Sequence, residues 1–163
     1  IRQDIYAEFC QKQFARYGKF LADGVAEDVY QRFGGVTYYM QRVMNILFMR
    51  TPEGNTCTID EIDVAIQYLM ELFTANYEDL LYQLPEKQRT VLYAIAREGQ
   101  AKNITSSTFV KKYHLNSASS VNSAVKALLE KDILTMSKGV YQVYDLFLEH
   151  WLYLQFSRGL ANS

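Results

Sequence analysis

Apolar positions in the first half of the chain recur at helical rather than strand spacing. Tyr6, Phe9, Cys10, Phe14, Tyr17, Phe20 and Leu21 fall on one side of a helix, which predicts an amphipathic helix over residues 4–22. Asp23 and Gly24 interrupt it. Val25, Ala26, Val29, Tyr30 and Phe33 form a shorter stripe that stops at Gly34 and Gly35, glycine being the residue that accepts the left-handed conformation past a helix end. In the next helix, over residues 37–49, Tyr39, Met40, Val43, Met44, Ile46, Leu47, Phe48 and Met49 cover nearly the whole circumference, so it is expected to be central and the most buried. The loop 51–57, with Pro52 and Gly54, ends it. Thr58 with Glu61 three residues on is a capping box, opening a helix of about 24 residues whose inward positions include Ile62, Ile66, Leu69, Phe73 and Leu80.

The pattern changes after Pro85, a residue that suits a first helical turn because its missing amide proton has no partner there. Val91, Leu92, Ile95 and Ala96 carry a helix to Gly99, and a short helix follows over residues 106–113. After a turn at 114–116, Ser117 caps another helix with an inward stripe of Ala118, Val121, Val125, Leu128 and Leu129. Two β-type runs, 133–137 and 140–144, are joined by Lys138 and Gly139, a tight hairpin turn. Helix, helix, turn, helix and hairpin in that order predict a winged helix-turn-helix. Asp145 caps a final helix containing Phe147, Trp151 and Leu152. The expected fold is therefore mainly α: a helical bundle over residues 1–84, a winged helix-turn-helix with a small hairpin wing over 85–144, and a C-terminal helix over 145–163 that packs back on both.

Charge supports the division at Pro85. The 163 residues carry 17 Lys and Arg against 18 Asp and Glu, but residues 1–84 hold 7 basic and 12 acidic side chains and residues 85–144 hold 9 and 4. Such an asymmetry predicts different partners for the two regions. The longest stretch free of charge, 113–125, is rich in Ser and Asn, so no run of about 20 apolar residues exists to span a membrane. Two isolated cysteines, Cys10 and Cys57, argue against a disulfide framework and for a reducing cytoplasm. Ile1 follows no basic and apolar leader, and the chain is expected to be cut from a longer one.

Catalytic chemistry finds little support. The single Gly-Lys pair, Gly18-Lys19, has Gln13 and Phe20 where a phosphate-cradling loop needs Gly and Ser or Thr. His114 and His150 have no ligand partner at helical spacing, and no Ser lies in a nucleophile elbow. Asp60, Glu61 and Asp63 gather at a helix start, where the helix dipole favours negative charge. No catalytic residue and no metal site is assigned. The 13 Tyr and 9 Phe at helical spacing read as core and interface. Ser119, Ser123 and Lys126 project opposite the buried stripe of the recognition helix, with Ser120 and Asn122 at its margins and Lys138 on the wing. Ser119, Asn122, Ser123, Lys126 and Lys138 are the nucleic-acid-contact candidates. With one cation and no Arg on the helix face, base-specific readout is expected to be poor, and a protein partner is the competing expectation.

Gly34-Gly35-Val36-Thr37-Tyr38-Tyr39-Met40-Gln41 resembles the Gly-Gly-x-Pro-Tyr-Tyr-x-Gln stretch of archaeal-type P-loop ATPases of the AAA+ and STAND group. Tyr6-Ala7-Glu8-Phe9 is similar to the opening of that family's helical lid. Tyr144-Asp145-x-Phe147 with Trp151-Leu152 is similar to its ending after the winged helix. Thr37 and Leu146 stand where the family usually has Pro. The resemblance implies a non-catalytic C-terminal part of such an ATPase, with a P-loop core upstream that holds ATP and Mg. It also implies that Gly35, Val36 and Thr37 form the lid edge of the nucleotide site, and that the lid relays nucleotide state to a winged helix facing DNA or a protein. Two other expectations come from the residues: a free-standing winged-helix regulator dimerising through its N-terminal helices, and a protein-interaction adaptor.

Overall fold

A computed structural model describes residues 1–161, which form two compact units that part between Phe73 and Thr74. Asn162 and Ser163, the end of the expected 145–163 helix, lie outside the described residues. The molecule is mainly helical, with a small antiparallel hairpin in the second unit.

The first unit contains α1 (Gln3–Arg16), β1 (Phe20–Leu21), α2 (Val25–Arg32), α3 (Thr37–Arg50), β2 (Thr56–Cys57) and the first half of α4 (Glu61–Gln83). Its core is built from Phe14, Val25, Val29, Met40, Val43, Leu47, Ile62 and Leu69. The helix expected over 4–22 ends early, at Arg16. Gly18 takes a positive φ of 67° there, and its carbonyl accepts a 2.7 Å hydrogen bond from the Gly54 amide. The chain is thus captured by the 51–57 loop, and Phe20 and Leu21 pair in parallel with Thr56 and Cys57 instead of adding a helical turn. Lys19 is carried over the end of α3, where its ammonium donates to the Phe48 carbonyl at 2.7 Å, a cation at the negative pole of the helix. On α3 itself Met40, Val43 and Leu47 are buried, but Tyr38 and Met49 are exposed, so its apolar circumference is only partly covered. At the start of α4, the Glu61 carboxylate accepts from the Thr58 amide at 2.9 Å, as the capping box requires.

The second unit takes the rest of α4 and then α5 (Glu86–Glu98), α6 (Ser107–Lys112), α7 (Ala118–Glu130), β3 (Leu134–Ser137), β4 (Val140–Val143) and α8 (Leu146–Ala161). The units part at Phe73 and Thr74, inside α4, whereas charge and Pro85 pointed to residue 84. The reason lies in the second half of α4. Thr74 Oγ1 accepts from the Trp151 indole at 3.1 Å, and the Tyr77 hydroxyl donates to Asp145 at 3.1 Å, tying that half to α8. Phe147, Leu148, Trp151 and Leu152 are buried, and α8 also packs on α5. Ser106 and Ser117 cap α6 and α7 through side-chain oxygens that accept from the Phe109 and Ser120 amides. β3 and β4 pair antiparallel from Leu134 with Val143 to Ser137 with Val140. Lys138 and Gly139 both take positive φ between them, as a two-residue hairpin turn with the right twist demands. One element is not visible in the periodicity: Ala101 exchanges two 2.9 Å backbone hydrogen bonds with Tyr141, giving the hairpin a third, one-residue strand between α5 and α6.

Candidate functional site

Two surfaces carry the candidate residues, one in each unit. In the first, α2 ends in consecutive left-handed glycines, Gly34 at φ 57° and Gly35 at φ 75°, and Val36 then enters α3 in extended geometry. The Gly35 amide donates to the Tyr30 carbonyl and the Val36 amide to that of Phe33, so the turn is closed by its own backbone. Tyr30 lies against the glycine. A Cβ at Gly35 would meet the Tyr30 hydroxyl oxygen at 2.8 Å and its ring at 2.9 Å, while one at Gly34 would meet nothing. Tyr30 is held there by a 2.8 Å hydrogen bond to the Ile1 carbonyl and by ring contact with Tyr6. A side chain at Gly35 is therefore penalised twice, by the backbone angle and by Tyr30. Val36 and Thr37 are exposed. Val36 has no side chain able to cap α3, and the first turn holds no acidic residue, so no carboxylate there offsets the positive end of the helix. The site residue that the sequence reading missed is Tyr30, assigned only to a core stripe; its place five positions before Gly35 was the available signal.

In the second unit, Ser119, Asn122, Ser123 and Lys126 are all exposed on α7, and Lys138 is exposed at the wing tip. The inward stripe differs slightly from expectation. Ala118 is exposed, and Ala124 takes a buried position with Val121, Val125 and Leu128, because the first turn of α7 lies at the rim of the core. Not every candidate side chain is equally available. Ser119 shares a 3.1 Å hydrogen bond with Ser117, and Ser123 donates back to the Ser119 carbonyl. Ser119, Ser120, Ser123 and Asn116 line a cleft of about 420 Å³ together with Pro85, Lys87 and Gln88 near the start of α5. Lys87 is exposed beside the recognition helix, a cation that the periodicity of α5 did not single out.

Of the nine cations in 85–144, several are already engaged. Lys112 pairs with Glu98 at 2.7 Å, Lys131 donates to Gln88 at 2.8 Å, and Arg97 lies over the Tyr153 ring at 4.7 Å. Hydrogen bonds from Lys112 and Tyr113 hold the Glu98 carboxyl below its ordinary range. Lys87, Lys126 and Lys138 make no ion pair among the described residues, and they are the charges the cleft, the helix and the wing present.

The helix order of α5, α6 and α7, the turn before α7, the hairpin and the short strand at Ala101 define a winged helix-turn-helix domain. Residues 75–154 match the family model described as a probable winged helix domain, a span that begins inside α4 and ends inside α8. No curated protein matches the chain. Among the described residues no helix is long and apolar enough to cross a membrane.

Proposed function

We propose that this chain is the non-catalytic C-terminal part of a P-loop ATPase, a helical lid joined to a winged helix that reports nucleotide state to a partner. The observation that carries the reading is the Gly34-Gly35 turn. Its backbone is locked against Tyr30 and opens directly onto the start of α3, at the stretch that resembles the ATPase lid motif. Half-buried Gly35 with exposed Val36 and Thr37 offers a small edge beside a helix N-terminus, which fits a contact with the rim of an anionic nucleotide. They do not make a complete nucleotide site, because no lysine and no ring of converging amides stands with them. ATP and Mg would be held by an upstream core, which supplies the phosphoryl chemistry. This chain supplies the edge contact and the connection to the winged helix, whose α7 and wing then face duplex DNA or a protein.

The test separates the parts. Residues 1–163 alone should show no micromolar affinity for MgATP in calorimetry and no turnover. In the longer polypeptide Thr37→Glu, at an exposed position, should weaken ATP binding or slow turnover at least severalfold while the thermal melt of 1–163 stays unchanged. Tight ATP binding by residues 1–163, or a longer polypeptide indifferent to Thr37→Glu, would overturn the reading.

A further inference from the structure

The α4 helix carries five carboxylates, Glu61, Asp63, Glu71, Glu78 and Asp79, and no Lys or Arg. Within the first unit its inner face is fully committed: Ile62, Ala65, Ile66, Leu69 and Met70 are buried. Its outer face is not polar throughout. Val64, Tyr68 and Leu72 are 45%, 41% and 55% exposed and stand at successive i+4 positions. Residues at that spacing form one continuous ridge, here about 12 Å long at 1.5 Å per residue. Asp60, Gln67 and Glu71 run along one margin of the ridge at helical spacing, all exposed. Two cations touch this half of α4. Arg32 pairs with Asp63, which borders the outer side of that margin at i+3 from Asp60 and i−4 from Gln67, and Arg42 lies over Phe73 on the side of α4 away from the margin. With Asp63 offset by Arg32 and Gln67 neutral, donating to Glu71 at 3.2 Å, Asp60 and Glu71 leave the margin net negative.

We infer that this ridge docks an amphipathic helix of a partner protein, one whose apolar stripe is bordered by Lys or Arg. An i+4 ridge packs into the groove between the corresponding rows of a second helix, with Tyr68 as the central aromatic anchor. The acidic margin selects a basic border and repels an acidic one, which supplies specificity more than affinity. The inference uses neither the Gly35 turn nor the winged helix, and it stands whether or not an ATPase core precedes the chain.

The test uses the whole 163-residue chain and a synthetic helical peptide with leucines at i, i+4 and i+7 and lysines on both borders, set against the same peptide with glutamates. NMR titration should place the largest amide shifts on residues 60–72, with the glutamate peptide at least tenfold weaker. Tyr68→Ser combined with Leu72→Gln should weaken the lysine peptide at least tenfold. Asp60→Lys combined with Glu71→Lys, at two exposed positions, should shift the preference toward the glutamate peptide. Shifts centred elsewhere, equal binding of both peptides, or charge-reversed and ridge variants that bind like the parent would overturn the inference. So would a dimer in sedimentation that Leu72→Gln disperses, since the ridge would then belong to a second copy of this chain.

Discussion

Candidate residues are held in opposite ways in the two units. In the first, the candidate loop is the structure: Gly35 has neither the backbone angle nor the space for a side chain, and Tyr30, which takes that space, is itself anchored to Ile1. In the second, the candidate face stands outside the structure. Asn122, Lys126 and Lys138 are exposed and bear no packing load, while stability resides in Leu92, Ile95, Leu128, Phe147 and Leu152. The difference teaches where substitution separates folding from function. Changes at the first site are expected to do both kinds of damage together, and changes at the second to alter binding alone.

The largest effect expected sets the scale for that contrast. Trp151 is buried, packs on Tyr77 with ring centroids 5.5 Å apart and donates its indole proton to Thr74. Trp151→Ala leaves a cavity and removes the hydrogen bond to Thr74, and should cost about 3–5 kcal/mol in denaturant unfolding. Loss of any α7 activity in this variant would then follow from unfolding, although Trp151 is not on that face. A Trp151→Ala melt that overlays the parent would remove α8 from the core of the second unit.

Next in size is Gly35. Gly35→Val should cost about 1–3 kcal/mol through backbone strain and the displaced Tyr30. The two causes can be separated, because a left-handed non-glycine residue costs roughly 1–2 kcal/mol whatever its neighbours. Gly35→Ala should therefore stay destabilising in a Tyr30→Ala background, though by less than in the parent. Equal penalties in both backgrounds would show that the Tyr30 contact contributes nothing.

The same contrast explains what could be read from the residues alone. Helices whose inner face repeats every turn, α2, α4, α5 and α7, were legible, as were the hairpin turn at Lys138 and Gly139 and the cap at Ser117, because each rests on local chemistry. What was not legible depends on residues distant in sequence. Gly18 meets Gly54 and ends α1; Ala101 meets Tyr141 and adds a strand; Thr74 meets Trp151 and moves the division of the units into α4. The candidate face of α7 was visible as an exposed polar stripe, but Lys87 joins it only through the packing of α5 on α7.

A smaller effect marks a place where the second unit carries a polar cost inside. Glu149 Oε2 is buried without a hydrogen-bond partner among the described residues, and burial raises the carboxyl above its ordinary value of 4.5 despite a hydrogen bond with Gln142. A raised folded value means that the proton is held more tightly in the native state. The stability it contributes is full below about pH 4 and is lost as pH rises through the folded value. Glu149→Gln should therefore raise the melting temperature at pH 7 by a few degrees, with the gain shrinking toward zero in acid. A gain that is the same at both pH values would mean that charge burial is not its source.

The smallest effect on folding is expected where the effect on binding is the most specific. Lys126→Ala with Lys138→Ala should change stability by less than about 0.5 kcal/mol, since both side chains are exposed and unpaired. If the winged helix contacts duplex DNA, it does so with few charges, because Lys112, Lys131 and Arg97 are engaged inside the domain and no arginine stands on α7. Each neutralised phosphate contributes about 0.9 to the slope of log affinity against log salt, so the parent slope should be only about −2 to −4. The double variant should flatten it by about one to two units across unrelated sequences, and Lys87→Ala should remove about one more. A slope that the double variant leaves intact, or no DNA affinity even at low salt, would turn α7 and its cleft into a protein-facing surface. The two units would still differ as described, the candidate residues built into the fold in one and standing outside it in the other.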